Sequence, residues 1–137
     1  MLLLWGPVAG WAAVIFAASS LSLGGGGLAI PDWLTHGGAY AMLSVLTCRA
    51  LAGGFALPLS WRAGMLSVLL STAYGVSDEW HQSFVPQRDS SAADVVKDFG
   101  GAALAAFVYW RVAARRFPER RLASEERGGV HSRRGAW

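Results

Sequence analysis

The chain alternates between long, mostly apolar stretches and short segments rich in Gly, Pro or polar residues. Residues 1–31 contain no Asp, Glu, Lys or Arg, and 2–23 reads as a first helix long enough to span a bilayer, which needs about 20 mostly apolar residues. A cleavable leader would carry a basic start and an Ala-x-Ala-like site; neither is present, so the stretch reads as a retained helix. Gly24 to Gly27 and Pro31 end it. A second span is expected at 33–52, a third at 60–79 and a fourth at 92–114. Gly53, Gly54 and Pro58 separate the middle pair, and a polar connection with Pro86 separates the last pair. The pattern predicts an all-α, integral membrane four-helix bundle over 1–114 and a basic tail over 115–137.

Composition agrees. Hydrophobic residues make up 53% of the 137 and charged residues only 15%, against about 25% charged in ordinary soluble domains. The net charge of +3 averages two unlike parts. Residues 111–137 hold eight Arg and three Glu, whereas 1–110 hold four basic and six acidic residues. A basic excess confined to a short tail beside an acidic, apolar body argues against a nucleic-acid surface. The single Cys48 leaves no intramolecular disulfide and no cysteine zinc framework.

Short-loop Lys and Arg set orientation. The 49–62 connection carries Arg49 and Arg62 without an acid, and the tail is strongly basic, so both are expected on the cytoplasmic side. Four spans then put both termini inside and the 22–32 and 80–91 connections outside. Trp33 and Trp80 fall at the outer interface, Trp5, Trp61 and Trp110 at the inner one, and Trp11 too deep for either. The expected location is a multi-pass protein of the bacterial cytoplasmic (inner) membrane, with the lipid bilayer as its first partner.

Ionisable side chains inside spans are costly and mark function. Here they cluster. Asp32, His36 and Tyr40 lie four apart at the start of span two, on one helix face. Span three ends with Tyr74, Asp78, Glu79, His81 and Gln82, and span four begins with Asp94 and Asp98. The expected topology gathers all three sets at the outer end. Bland readings stand beside this: Asp94 after Ser91 resembles a capping box, Asp32 after Pro31 an N-cap, and the pairs Gly37-Gly38 and Gly100-Gly101 suit close helix contact.

The run from Tyr74 to Gly101, Y-G-V-S-D-E-W-H-Q followed by Pro86-Gln87-Arg88 and then Asp94, resembles the defining stretch of VanZ-like membrane proteins. Asp32-x-x-x-His36-x-x-x-Tyr40 is similar to that family's other motif, and the likeness covers about residues 14–110. Asp32, His36, Tyr40, Tyr74, Asp78, Glu79, His81, Gln82, Arg88, Asp94 and Gly101 fall on family positions. Trp33 stands where the family usually has Lys, and Asp98 where it usually has Asn. Both changes make the site more negative and favour a cation. The resemblance implies a bacterial envelope protein of a family named for a link to glycopeptide (teicoplanin) resistance; it supplies no reaction.

Two classes of function follow. In the first, the chain is a hydrolase or transferase acting on a lipid-linked or cell-wall substrate. His36, Asp78, Glu79, His81 and Asp94 form the catalytic set, and His36, His81 and Glu79 are candidate ligands for zinc or manganese. Without a metal, the same residues make an acid–base site. Arg88 would hold a phosphate or carboxylate through its paired donors, with Tyr40, Tyr74, Gln82 and Asp98 lining the substrate site. In the second class, the polar layer is a closed network of ion pairs and hydrogen bonds fixing a non-enzymatic binding or accessory protein. Ion passage fits less well, because the inner halves of the spans carry no acid.

Overall fold

The computed structural model describes residues 1–21, 31–55, 57–86, 88 and 90–116, leaving aside the Asp32 side chain. The connection at 22–30, Asp89 and the tail beyond 116 lie outside the described residues. Within them the chain is four helices and no strand: α1 (Leu2–Ser20), α2 (Asp32–Ala52), α3 (Trp61–Gln82) and α4 (Ala92–Arg116). The count matches the expectation. The third helix runs on through His81 to Gln82, and α4 takes in the first two residues of the expected tail.

Local chemistry sets these ends. Gly53 closes α2 in the left-handed region at φ 84°, and the Gly53 and Gly54 amides return to Ala50 and Arg49 carbonyls. The Ser60 hydroxyl accepts the Ala63 amide at 3.2 Å and opens α3. At α4 the Ser91 hydroxyl accepts the Ala93 amide, also at 3.2 Å. The expected capping box is only half made there: the Ser91 amide donates to Glu79 Oε2 at 2.8 Å, so a carboxylate from α3 takes the place of Asp94.

Successive helices run antiparallel, with α2 and α4 side by side and parallel. His36 meets Asp98 near their starts, and Cys48 packs with Ala106 and Ala113 toward their ends. The start of α1, where Leu3 meets Arg49, and the end of α4 therefore lie at the same end of the bundle. The α2–α4 seam is tightest where a Cβ on Gly101 would come within 2.7 Å of Gly37 Cα and closer still to its carbonyl oxygen. The glycine pairs serve helix contact, as their spacing suggests. Farther along, the Ser44 hydroxyl donates to the Ala102 carbonyl at 3.0 Å and the Ser67 hydroxyl to the Ser44 carbonyl at 2.9 Å, joining α2, α3 and α4.

The first helix packs against α2 and α3 and does not reach α4. Polar clips hold it. Pro7 has no amide to give the Leu3 carbonyl, and Arg49 Nη1 donates to that carbonyl at 3.1 Å. Trp11 Nε1 donates to Ala39 O at 2.9 Å, and the Tyr74 hydroxyl to Ala12 O at 2.7 Å.

The usual distribution of side chains is inverted. Ser44, Ser67, Asp78, Glu79, Gln82 and Asp98 are buried, while Leu69, Leu104 and Val96 are 65%, 66% and 69% exposed. Among the described residues one helix, Leu2–Ser20, is long and apolar enough to cross a membrane by length and composition. The other three carry charged residues and interleave their apolar residues with small and polar ones, which lowers their mean hydropathy. Four spans by hydropathy are thus more than these helices display; one meets that measure.

Candidate functional site

The polar sets do converge at one end, where the start of α2, the end of α3 and the start of α4 meet. The innermost group is His36, Glu79 and Asp98, each offering one donor atom, all within 4.8 Å of one another. His36 Nδ1 lies 3.2 Å from Asp98 Oδ1. Asp98 is only 1% exposed, and its second oxygen, Oδ2, is buried with no hydrogen-bond partner. Gly75 makes room for it: a Cβ there would stand 2.9 Å from Oδ2 and 3.2 Å from the Tyr40 ring. Tyr40 is itself buried, and its hydroxyl also lacks a partner.

Buried polar atoms without partners are rare, because each forfeits its hydration without return. Two of the five such side-chain atoms among the described residues, Asp98 Oδ2 and the Tyr40 hydroxyl, lie beside a His–carboxylate pair; the others are the hydroxyls of Ser71, Thr72 and Tyr109. His36 donates to Asp98 in the tautomer with its proton on Nδ1. Its side chain is 17% exposed, so the group is not sealed.

Other expected site residues are engaged elsewhere. His81 is not part of the group: its Nε2 lies 3.1 Å from the Ser20 hydroxyl and its ring stacks on Phe16 at 4.6 Å. The extra turn of α3 aims it at α1, so the three donors that come together are His36, Glu79 and Asp98 rather than the expected His36, His81 and Glu79. Arg88 Nη2 donates to the Ala18 and Leu21 carbonyls at 2.8 and 3.2 Å, capping the C-terminus of α1. Arg88, expected to hold an anionic substrate group, thus commits Nη2 to that cap. The Tyr74 hydroxyl likewise serves α1.

Asp78 accepts from Ser19 at 2.6 Å and from Gln82 at 2.9 Å, and Gln82 Nε2 lies 3.4 Å from Glu79 Oε1. Asp94 accepts from Lys97 at 2.5 Å. Asp78, Gln82 and Asp94 therefore form a structural collar around the inner group. Sequence reasoning missed Ser19 and Ser20, which tie the collar to α1; a serine pair closing an otherwise apolar helix was the available signal.

No family model, curated protein or solved structure matches this chain.

Proposed function

We propose that this chain is a VanZ-like integral membrane protein of the bacterial cytoplasmic membrane, whose His36–Glu79–Asp98 group binds a divalent cation. In this reading it acts as a hydrolase or transferase on a lipid-linked or cell-wall substrate at the outer face. The observation that carries the reading is the partnerless, buried Asp98 Oδ2 within a three-donor group no wider than 4.8 Å. Donor atoms about 2.1 Å from one zinc or manganese lie about 3–4 Å apart, so a contraction of about 1 Å brings the group to ligand geometry. One imidazole and two carboxylates suit either metal and leave a position for water.

The membrane part of the proposal rests on the inverted side-chain distribution. A sheath of exposed Leu, Val, Phe and Met around a serine- and carboxylate-lined interior suits a lipid environment, since large exposed apolar patches mark contact with partner or lipid. Exposed Trp33 and Trp80 at one end and Trp61 at the other supply interface anchors. The collar residues favour part of the non-enzymatic reading: Asp78, Gln82, Asp94 and Arg88 are framework, and the chemistry narrows to the inner group.

Metal analysis of the detergent-purified chain tests this, after loading with zinc or manganese and removal of excess. About one equivalent is expected in the wild type and in His81→Ala, with loss in His36→Ala and Asp98→Asn. Equal metal content in all four proteins, or none in the wild type, overturns the cation site.

A further inference from the structure

Between α2 and α4, on the side away from α1 and α3, runs a groove of about 900 Å³. It starts beside Trp33 and Lys97 and ends at Arg116. Val45, Leu104 and Val108 line its walls, and Gly38 and Gly100 leave its upper part open, since a Cβ on either would meet nothing within 4 Å. From Lys97 to Arg116 the helical rise is about 28 Å, close to the hydrocarbon thickness of a bilayer. The two ends differ in charge. Arg49, Arg62, Arg111, Arg115 and Arg116 belong to the end where the groove closes, and Asp78, Glu79, Asp94 and Asp98 to the other.

We infer that this groove seats an acyl chain of an anionic glycerophospholipid, with the lipid phosphate held at the Arg115–Arg116 end. The inference rests on the membrane reading above but not on the cation site. The apolar walls of the half of the groove nearer Arg116 match a hydrocarbon chain from one leaflet, about 15 Å deep, and guanidinium groups match a phosphate in charge and donor geometry. A second copy of the chain fits less well. Two copies inserted in the same orientation would bring their arginine clusters together at one rim, a like-charge juxtaposition, whereas an anionic headgroup neutralises that rim. At the same end, the Arg49 guanidinium lies 5.2 Å from the Phe55 ring centre and that ring packs near Tyr109, so the end of the groove is walled by aromatic rings.

The test is a thermal-unfolding titration of the full chain in uncharged detergent micelles with phosphatidylglycerol, phosphatidylcholine or inorganic phosphate. Phosphatidylglycerol should stabilise at concentrations about fivefold or more below phosphatidylcholine, and free phosphate should do nothing. Arg115→Gln/Arg116→Gln, at an exposed helix end, should erase the preference between the lipids. Val108→Trp should weaken both, and Leu66→Trp, on the exposed face of α3, should leave both unchanged. Equal response to the two lipids in the wild type overturns the headgroup assignment, and an unaltered response in Val108→Trp overturns the groove. Loss of a dimer in Val108→Trp without loss of lipid response assigns the face to a second copy and overturns the proposal. Extraction of the wild-type chain from membranes by alkaline carbonate sinks the membrane reading as well; retention with no lipid preference sinks this inference alone.

Discussion

The two ends of the α2–α4 seam are both built around small residues and do opposite things with them. At one end Gly37 and Gly101 touch, and the space around the contact is filled by His36, Asp98, Tyr40 and Glu79. At the other end Cys48, Leu59, Ala106 and Ala113 make an apolar cluster, with Trp110 and Tyr109 packed against it. An apolar cluster is satisfied by contact alone, and among these residues the Tyr109 hydroxyl is the one buried side-chain polar atom without a partner. A polar cluster is satisfied only if each donor meets an acceptor, and at the first end Asp98 Oδ2 and the Tyr40 hydroxyl are not. The comparison sets an end that closes mainly by apolar contact against one whose buried polar group keeps unmet hydrogen-bonding capacity on a carboxylate.

The largest expected effect comes from closing the contact itself. Gly101→Val places a branched side chain against the Gly37 backbone, which cannot yield as a flexible side chain would. Overpacking costs about 1–3 kcal/mol even where side chains can move, so the upper end or beyond is expected, with a large drop in unfolding temperature in micelles. Gly100→Ala, one residue away with open space at its Cβ, should be neutral or stabilising by up to ~1 kcal/mol. Equal behaviour of the two variants would mean that the seam does not close at Gly37.

Much of this asymmetry was legible in the sequence. The four helices show in the long apolar stretches and their Gly and Pro stops, and the convergence of His36, Glu79 and Asp98 follows from ionisable residues massed at alternate helix ends. The orientation of single side chains was not legible. Spacing puts Asp78, His81 and Gln82 on one face of α3, yet only packing decides that His81 turns to Phe16 and Ser20 while Glu79 turns inward. Arg88 reaches the end of α1 across 70 residues, and nothing local to it announces that. The Arg49 clip was readable in part: a proline inside a helix frees the carbonyl four residues earlier, and a donor must come from somewhere.

A middle-sized effect separates the polar and apolar halves of the seam. Ser44 and Ser67 lie between them, buried, with their hydroxyls 3.1 Å apart. Ser67→Ala removes the bond to the Ser44 carbonyl and the contact with its hydroxyl, for an expected loss of about 0.5–1.5 kcal/mol. Ser44→Ala should cost a similar amount, and the double variant less than the sum, because the two share a bond. Additive losses in unfolding midpoints would show that the two hydroxyls act independently and that the halves are not linked here.

The smallest effect tests whether α1 belongs to either end or only leans on the bundle. Arg49→Gln removes the donor to the Leu3 carbonyl at the apolar end, and an exposed bond of this kind contributes under about 1 kcal/mol. Ser19→Ala removes the Asp78 bond at the polar end, which is buried, shorter and made to a carboxylate. Amide hydrogen exchange of α1 should therefore rise slightly near Leu3 to Trp5 in the first variant and more strongly near Ser19 in the second. A carboxylate deprived of Ser19 retains Gln82, so the collar loosens without collapsing and the inner His36–Asp98 pair keeps its spacing. If exchange rises equally along the whole of α1 in both variants, the helix is held as one rigid unit. The polar end would then have no stronger grip on it than the apolar end.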